Sequence, residues 1–279
     1  MLGAGASVHA GLPLGVDLFR AVLNGDLAKT LVGCGYEKEA VSAFQRALVA
    51  SGRTSVDAFL EHRTEFLDVG KAAIAAALLP LERTGPLNAP GSRPHWYDYL
   101  WERMNAPFHS LARNALTVIT FNYDRSLEYY LWHALANAYG KDPAATTAVY
   151  NAFNILHVHG WLGSLGELPY QSAATSQHVR GAADRIRIVH EADQERDAFD
   201  MARMALQNAE AIYFAGFHYH RSNVERLRMR DASPGARIYG STLGMTGAEE
   251  SAVRGLIPGM QSVREPALDF LRSVEPLDV

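Results

Sequence analysis

Short β-branched runs that end in polar or glycine residues, spaced by helical patterns, predict an α/β fold: a parallel sheet with helices on both faces. A long stretch over 21–110, with helical signals and no strand signals, predicts a large α-helical insertion after the first βα unit. Composition agrees, with 48% hydrophobic and 20% charged residues over 279, enough for one large domain or two small ones. The expected division places the sheet core in 1–20 and 111–279 and the insertion in 21–110.

Taken in order, the chain opens on Gly3-Ala4-Gly5-Ala6-Ser7, a glycine loop of the kind that follows a buried strand. Only Met1 and Leu2 precede it, so the first strand is expected to be a stub or to begin upstream. Residues 37–50 carry Ala40, Val41, Phe44, Ala47 and Leu48 along one helical stripe. Thr54 or Ser55 is placed to cap a helix holding Val56, Phe59 and Leu60. Residues 67–79 read as an alanine-rich helix stopped by Pro80. The Gly- and Pro-rich stretch 85–94 reads as a loop, and 96–104 as a helix with an aromatic face. The run 116–120 has the β-branched character of a buried parallel strand. Residues 155–159, 185–189, 211–216 and 236–240 read as further strands, with helices over 193–208 and 223–229.

Other classes are excluded by what the chain lacks. No apolar run is long enough to span a bilayer, the longest lying around 72–79, and the N-terminus lacks the pattern of a signal peptide. Cys34 is the only cysteine, which rules out an intramolecular disulfide framework and a multi-cysteine zinc knuckle. A cytoplasmic location fits. The net charge of −4 supplies no general pull toward nucleic acid, so neither nucleic-acid nor membrane binding is expected.

In a parallel sheet of this kind ligands bind outside the carboxyl ends of the strands. The notable residues cluster there: Gly3, Gly5 and Ser7, then Asn122 and Asp124, then His157 and His159, then 216–223, then Gly240 and Ser241. Each has a plain structural reading as well. The glycine loop lacks the third glycine of the dinucleotide fingerprint, with Val8 in that place, and is matched equally by a simple turn. Asn122 and Asp124 suit a helix cap. His157 and His159 alternate onto one strand face, where two histidines alone are better read as satisfied core residues. With Asp124, and with His218 and His220, they also compose a set of metal ligands, the pattern of a metallohydrolase.

The combination is more specific than its parts. Gly3-Ala4-Gly5-Ala6-Ser7, followed by Gly11-Leu12-Pro13, resembles the sirtuin opening of glycine-alanine-glycine-x-serine and glycine-isoleucine-proline. Thr120-Phe121-Asn122-Tyr123-Asp124 resembles the family's threonine-glutamine-asparagine-isoleucine-aspartate, and His159-Gly160 its catalytic histidine-glycine pair. All three occur in the family's order. The stretch from Phe214 through Gly216 and Phe217 to Asn223 is similar to that of bacterial sirtuin-like proteins used in phage defence, which hydrolyse NAD. There are departures. The zinc cysteines are missing, Phe121 replaces glutamine, and the Asp-Phe-Arg of deacylases is absent after the proline.

The resemblance implies a Rossmann-like core that takes NAD as substrate, without zinc, and an NAD glycohydrolase releasing nicotinamide and ADP-ribose, with an anti-phage defence role. It implies catalytic roles for Asn122, His159 and Asp124. Gly3, Ala4, Gly5, Ser7, Gly11 and Pro13 would line the dinucleotide, together with Phe121, Gly216, Phe217 and Gly240; Asn223 and Ser241 would hydrogen-bond the adenosine end. It also implies an activating or inhibitory protein partner or a homo-oligomer. The competing expectations are an NAD-dependent protein deacylase, a non-catalytic NAD or ADP-ribose sensor, and the metallohydrolase. Nicotinamide leaves as a neutral base, so the chemistry needs a held ribose, a stabilised oxocarbenium-like transition state and a directed water.

Overall fold

The computed structural model describes residues 1–89, 94–188 and 197–277. Among them five strands pair in parallel. β1 (Thr117–Thr120) pairs with β2 (Asn154–His157); β3 (Ala211–Phe214) pairs with β4 (Arg237–Ser241), and β4 with β5 (Gln261–Val263). Leu2 stands between the two groups, making parallel bridges to Thr120 on one side and Ala215 on the other. Its N–H donates to the Ile119 carbonyl at 2.8 Å, its carbonyl accepts from Phe121 at 3.0 Å, and Gly3 N–H donates to Ala215 at 3.3 Å. The order across the sheet is therefore β2, β1, Leu2, β3, β4, β5.

Helices fill the connections. Before β1 lie α1 (Gly15–Val22), α2 (Gly25–Gly33), α3 (Lys38–Ala50), α4 (Val56–Leu60), α5 (Leu67–Leu78), α6 (Gly85–Asn88) and α7 (Trp96–Arg103). After it come α8 (Ser126–Tyr139), α9 (Pro143–Tyr150), α10 (Ser176–Ala183), α11 (Asp197–Gln207), α12 (Arg221–Leu227), α13 (Gly247–Leu256) and α14 (Ala267–Ser273). Strand alternation sorts the sheet side chains into two cores. Val118 and Ile155 face a core shared with α5, α7, α8 and α14, whereas Ile119, Leu156, Ile212 and Phe214 face one built on α11, α12 and α13. Both faces are covered, as a parallel sheet requires.

The helical segment before β1 is organised around α5. Ala72, Ala73, Ala75 and Ala76 are fully buried, and such small side chains let α1, α2, α3 and α4 approach its axis closely. α10, from beyond β2, completes this layer. Ser55 caps α4 by accepting from Ala58 N–H at 3.4 Å. Pro80 does not end the α5 segment outright. It sits at the start of a 3₁₀ turn, Leu79–Leu81, where its missing N–H is not needed.

Several expected elements differ. β2 ends at His157, because the chain turns there, with Gly160 N–H donating back to the His157 carbonyl at 3.3 Å. Residues 185–188 form no strand; Ile186 makes only an antiparallel bridge to Gly160, and Val189 lies outside the described residues. So do 193–196 of the helix expected over 193–208 and 90–93 of the expected loop, whose first residues form α6. No helix among the described residues is long and apolar enough to cross a membrane.

Candidate functional site

The glycine loop leaves Leu2 at the carboxyl edge, between β1 and β3. It forms a 3₁₀ helix, Ala4–Ala10, closed by Gly11 in the left-handed region, and not the α-helix N-terminus expected of a dinucleotide loop. Its glycines serve close backbone approach. Gly5 N–H donates to the Gly216 carbonyl at 3.0 Å, and a Cβ on Gly3 or Gly5 would fall within 2.8 Å of Gly216 backbone atoms. The helical layer holds the other side. Trp96 Nε1 donates to the Ala6 carbonyl at 2.7 Å, and the His9 ring lies against His95 and Tyr97 at 4.7 and 4.4 Å.

Asn122, just past β1, ties itself to this loop. Its Nδ2 donates to the Gly3 carbonyl and to Ser7 Oγ, both at 3.0 Å. Asp124 is buried and accepts from the backbone N–H of Ser126 at 3.0 Å, from the Ser126 hydroxyl and from Ser7. Burial pushes its carboxyl up, and the serine hydrogen bonds pull it back only in part. Tyr97 joins through Ser126 Oγ at 2.7 Å. Asp124 thus takes up the local role of a helix-start residue for α8 while facing the loop. Ser7, Tyr97, Asn122 and Asp124 line one small cavity with Thr120, Glu128 and His157, closed on its apolar side by Leu2, Leu127 and Ile155.

The two histidines part company, contrary to the strand alternation expected of them. His157 points into this cavity: Nδ1 meets the Asn122 carbonyl at 2.9 Å and Nε2 meets Glu128. The turn after β2 swings His159 to the opposite core, where its ring lies 5.3 Å from Phe121 and 5.8 Å from Phe199. Phe217 completes this aromatic wall, 5.0 Å from Phe121, and the Asn223 side chain hydrogen-bonds His159. Burial pushes the His159 imidazole below its ordinary value, opposed by the Asp57 carboxylate reaching over from α4. Asp57 also accepts from the Tyr123 hydroxyl, so the helical layer brings a carboxylate to this edge.

Other expected site residues have structural partners. Ser241 Oγ donates to the Glu265 carbonyl at 2.6 Å, and its own carbonyl accepts from Tyr219 at 3.0 Å. The missing side chain of Gly240 leaves room for that tyrosine. Gly11 and Pro13 lead the chain from the loop toward α1. His157 and His159 diverge and so do not form a common ligand pair, and no group of three or more His, Cys, Asp or Glu suited to a metal occurs among the described residues. Sequence reasoning missed Glu128, Tyr97 and Asp57. Glu128 alone carries a signal, an acid at the start of the apolar run of α8. No protein-family model, no curated protein and no solved structure matches the chain.

Proposed function

We propose that this chain binds NAD on a Rossmann-like core and hydrolyses the nicotinamide–ribose bond. The observation that carries the reading is the place of the glycine loop. With Leu2 counted as a first strand, the order β2, β1, Leu2, β3, β4, β5 is the dinucleotide-binding order, and the loop leaves at the crevice where that order reverses. Asn122 and His159 stand at the ends of the neighbouring strands on this same edge.

The chemistry follows from the two clusters. Ser7, Asn122 and Asp124 form a hydrogen-bonded cluster at this edge, and the nicotinamide end of a bound dinucleotide would lie against it. Both amide hydrogens of Asn122 are spent on the loop, so its Oδ1 would orient a ribose hydroxyl or the water. In the reaction the water oxygen bonds to the anomeric carbon, the electron pair of the breaking bond leaves with nicotinamide, and a proton passes to a base. His159 suits that base, because burial keeps its imidazole unprotonated at neutral pH.

The test is incubation of the full chain with NAD, reading nicotinamide and ADP-ribose. His159→Ala is expected to lower turnover by about 10²–10⁴-fold, the usual weight of a positioned acid–base group, and Asn122→Ala by about 10²-fold or more through lost positioning. Near-normal turnover in His159→Ala would remove it from the mechanism. Binding of ADP-ribose without any cleavage by the parent would favour the sensor reading instead.

A further inference from the structure

Glu128 and His157 make a contact that the proposed chemistry does not use. Both side chains are more than nine-tenths buried, at 4% and 8% exposed, and they join α8 to the end of β2. The Asn122 carbonyl can only accept, so His157 Nδ1 must carry a hydrogen toward it. Nε2 then faces a Glu128 oxygen, and a bare nitrogen against a bare carboxylate oxygen would repel. A second proton therefore lies between them, whether as imidazolium with carboxylate or as neutral ring with carboxyl. The pair is neutral overall in both forms, which is how a buried pair avoids an uncompensated charge.

We infer that Glu128 and His157 are positioning residues whose shared proton locks the Asn122 backbone and, through the Asn122 amide, the glycine loop. The linkage is continuous: Glu128 to His157, His157 to the Asn122 carbonyl, and Asn122 Nδ2 to Gly3 and Ser7 at 3.0 Å each. The titratable groups facing the pair are Asp124 from the β1–α8 turn, Tyr97 from α7 and Tyr150 from α9. Burial acts to lower the His157 pKa, but Glu128, the Asn122 carbonyl and Asp124 together leave it above its ordinary value. The lock is accordingly in place below that raised value and opens as pH rises through it. For turnover this rests on the NAD reading; for the order of the loop it does not.

The experiment measures hydrogen exchange of the Gly3–Ser7 amides, corrected for intrinsic rate, and NAD cleavage, from about pH 6 to about pH 9.5. The full chain is compared with Glu128→Gln and Glu128→Ala. In the parent, loop exchange is expected to rise and cleavage to fall over one alkaline interval. Glu128→Gln donates an amide hydrogen to Nε2 without needing the shared proton, so its loop should stay protected with no alkaline rise. Glu128→Ala should raise loop exchange at every pH by about tenfold or more, the weight of a hydrogen bond to a charged group. An alkaline rise in Glu128→Gln equal to the parent's would overturn the inference, and so would parent-like exchange in a folded Glu128→Ala. If Glu128→Ala does not fold, the Glu128→Gln profile decides alone. A parent whose loop shows the alkaline opening but which cleaves no NAD would refute the NAD-hydrolysis reading while supporting the lock.

Discussion

At Gly216 two stretches of backbone meet with no space for a side chain. Its φ of 59° is left-handed, and a Cβ there would lie 2.0 Å from the Ala6 nitrogen. Gly11 shares the left-handed conformation, with φ of 83°, but a Cβ there would only touch Pro86 at 3.5 Å. The comparison separates strain from collision. Gly11→Ala should cost about 1 kcal/mol, the left-handed penalty alone. Gly216→Ala should cost about 2–4 kcal/mol, since overpacking adds to that penalty. Urea denaturation of the two variants measures both, and equal costs would mean that the loop does not press on Gly216. The glycines were legible as a pattern, but their use against each other was not, because Gly3 and Gly216 come together only across the sheet. The histidines teach the same lesson: alternation holds for His157, within the strand, and fails at His159, one turn beyond it.

Arg125 and Glu82 link two elements that the sequence leaves far apart. The guanidinium of Arg125, fully buried at the start of α8, meets both oxygens of Glu82, which follows the 3₁₀ turn after α5, and donates to the carbonyls of Gly163, Ser164 and Leu168. Burial pushes the Glu82 carboxyl up against the pull of that arginine. Arg125→Met strands a buried carboxyl and three carbonyls, and should cost about 3–5 kcal/mol in urea denaturation. Adding Glu82→Leu should recover part of the loss, because an apolar pair tolerates burial better than half of an ionic one. No recovery would place the energy in the carbonyl contacts. Among the elements themselves, α3, α4 and α7 were legible from stripe and cap, since local periodicity alone sets them. β5 was not: Gln261-Ser262-Val263 has no apolar run, and only pairing with β4 makes it a strand. The false strand at 185–188 has the converse cause, suitable residues with no parallel neighbour to pair with.

The parallel sheet covered on both faces was legible because strand ends and helical stripes recur along the chain, whereas the strand order depends on Leu2, which the glycine loop marks as a strand stub but whose neighbours no local pattern gives. That order sets the last prediction. If the crevice beside Leu2 takes a dinucleotide, the ligand binds only the folded chain and raises its melting temperature by mass action. At a concentration about 100 times its dissociation constant the gain is about 2.7 kcal/mol. For a chain of this size, at about 2–4 °C per kcal/mol, the melting temperature should rise by roughly 5–10 °C. ADP-ribose is the better probe, because it cannot be cleaved at the nicotinamide bond. His159→Ala should keep the rise, since the proposed base contributes little to binding. Gly216→Ala should lose much of it, since its backbone lies against the loop that would hold the diphosphate. A scan at millimolar ADP-ribose with no rise in the parent would remove the dinucleotide from this crevice, and the strand order would then stand without a ligand to explain it.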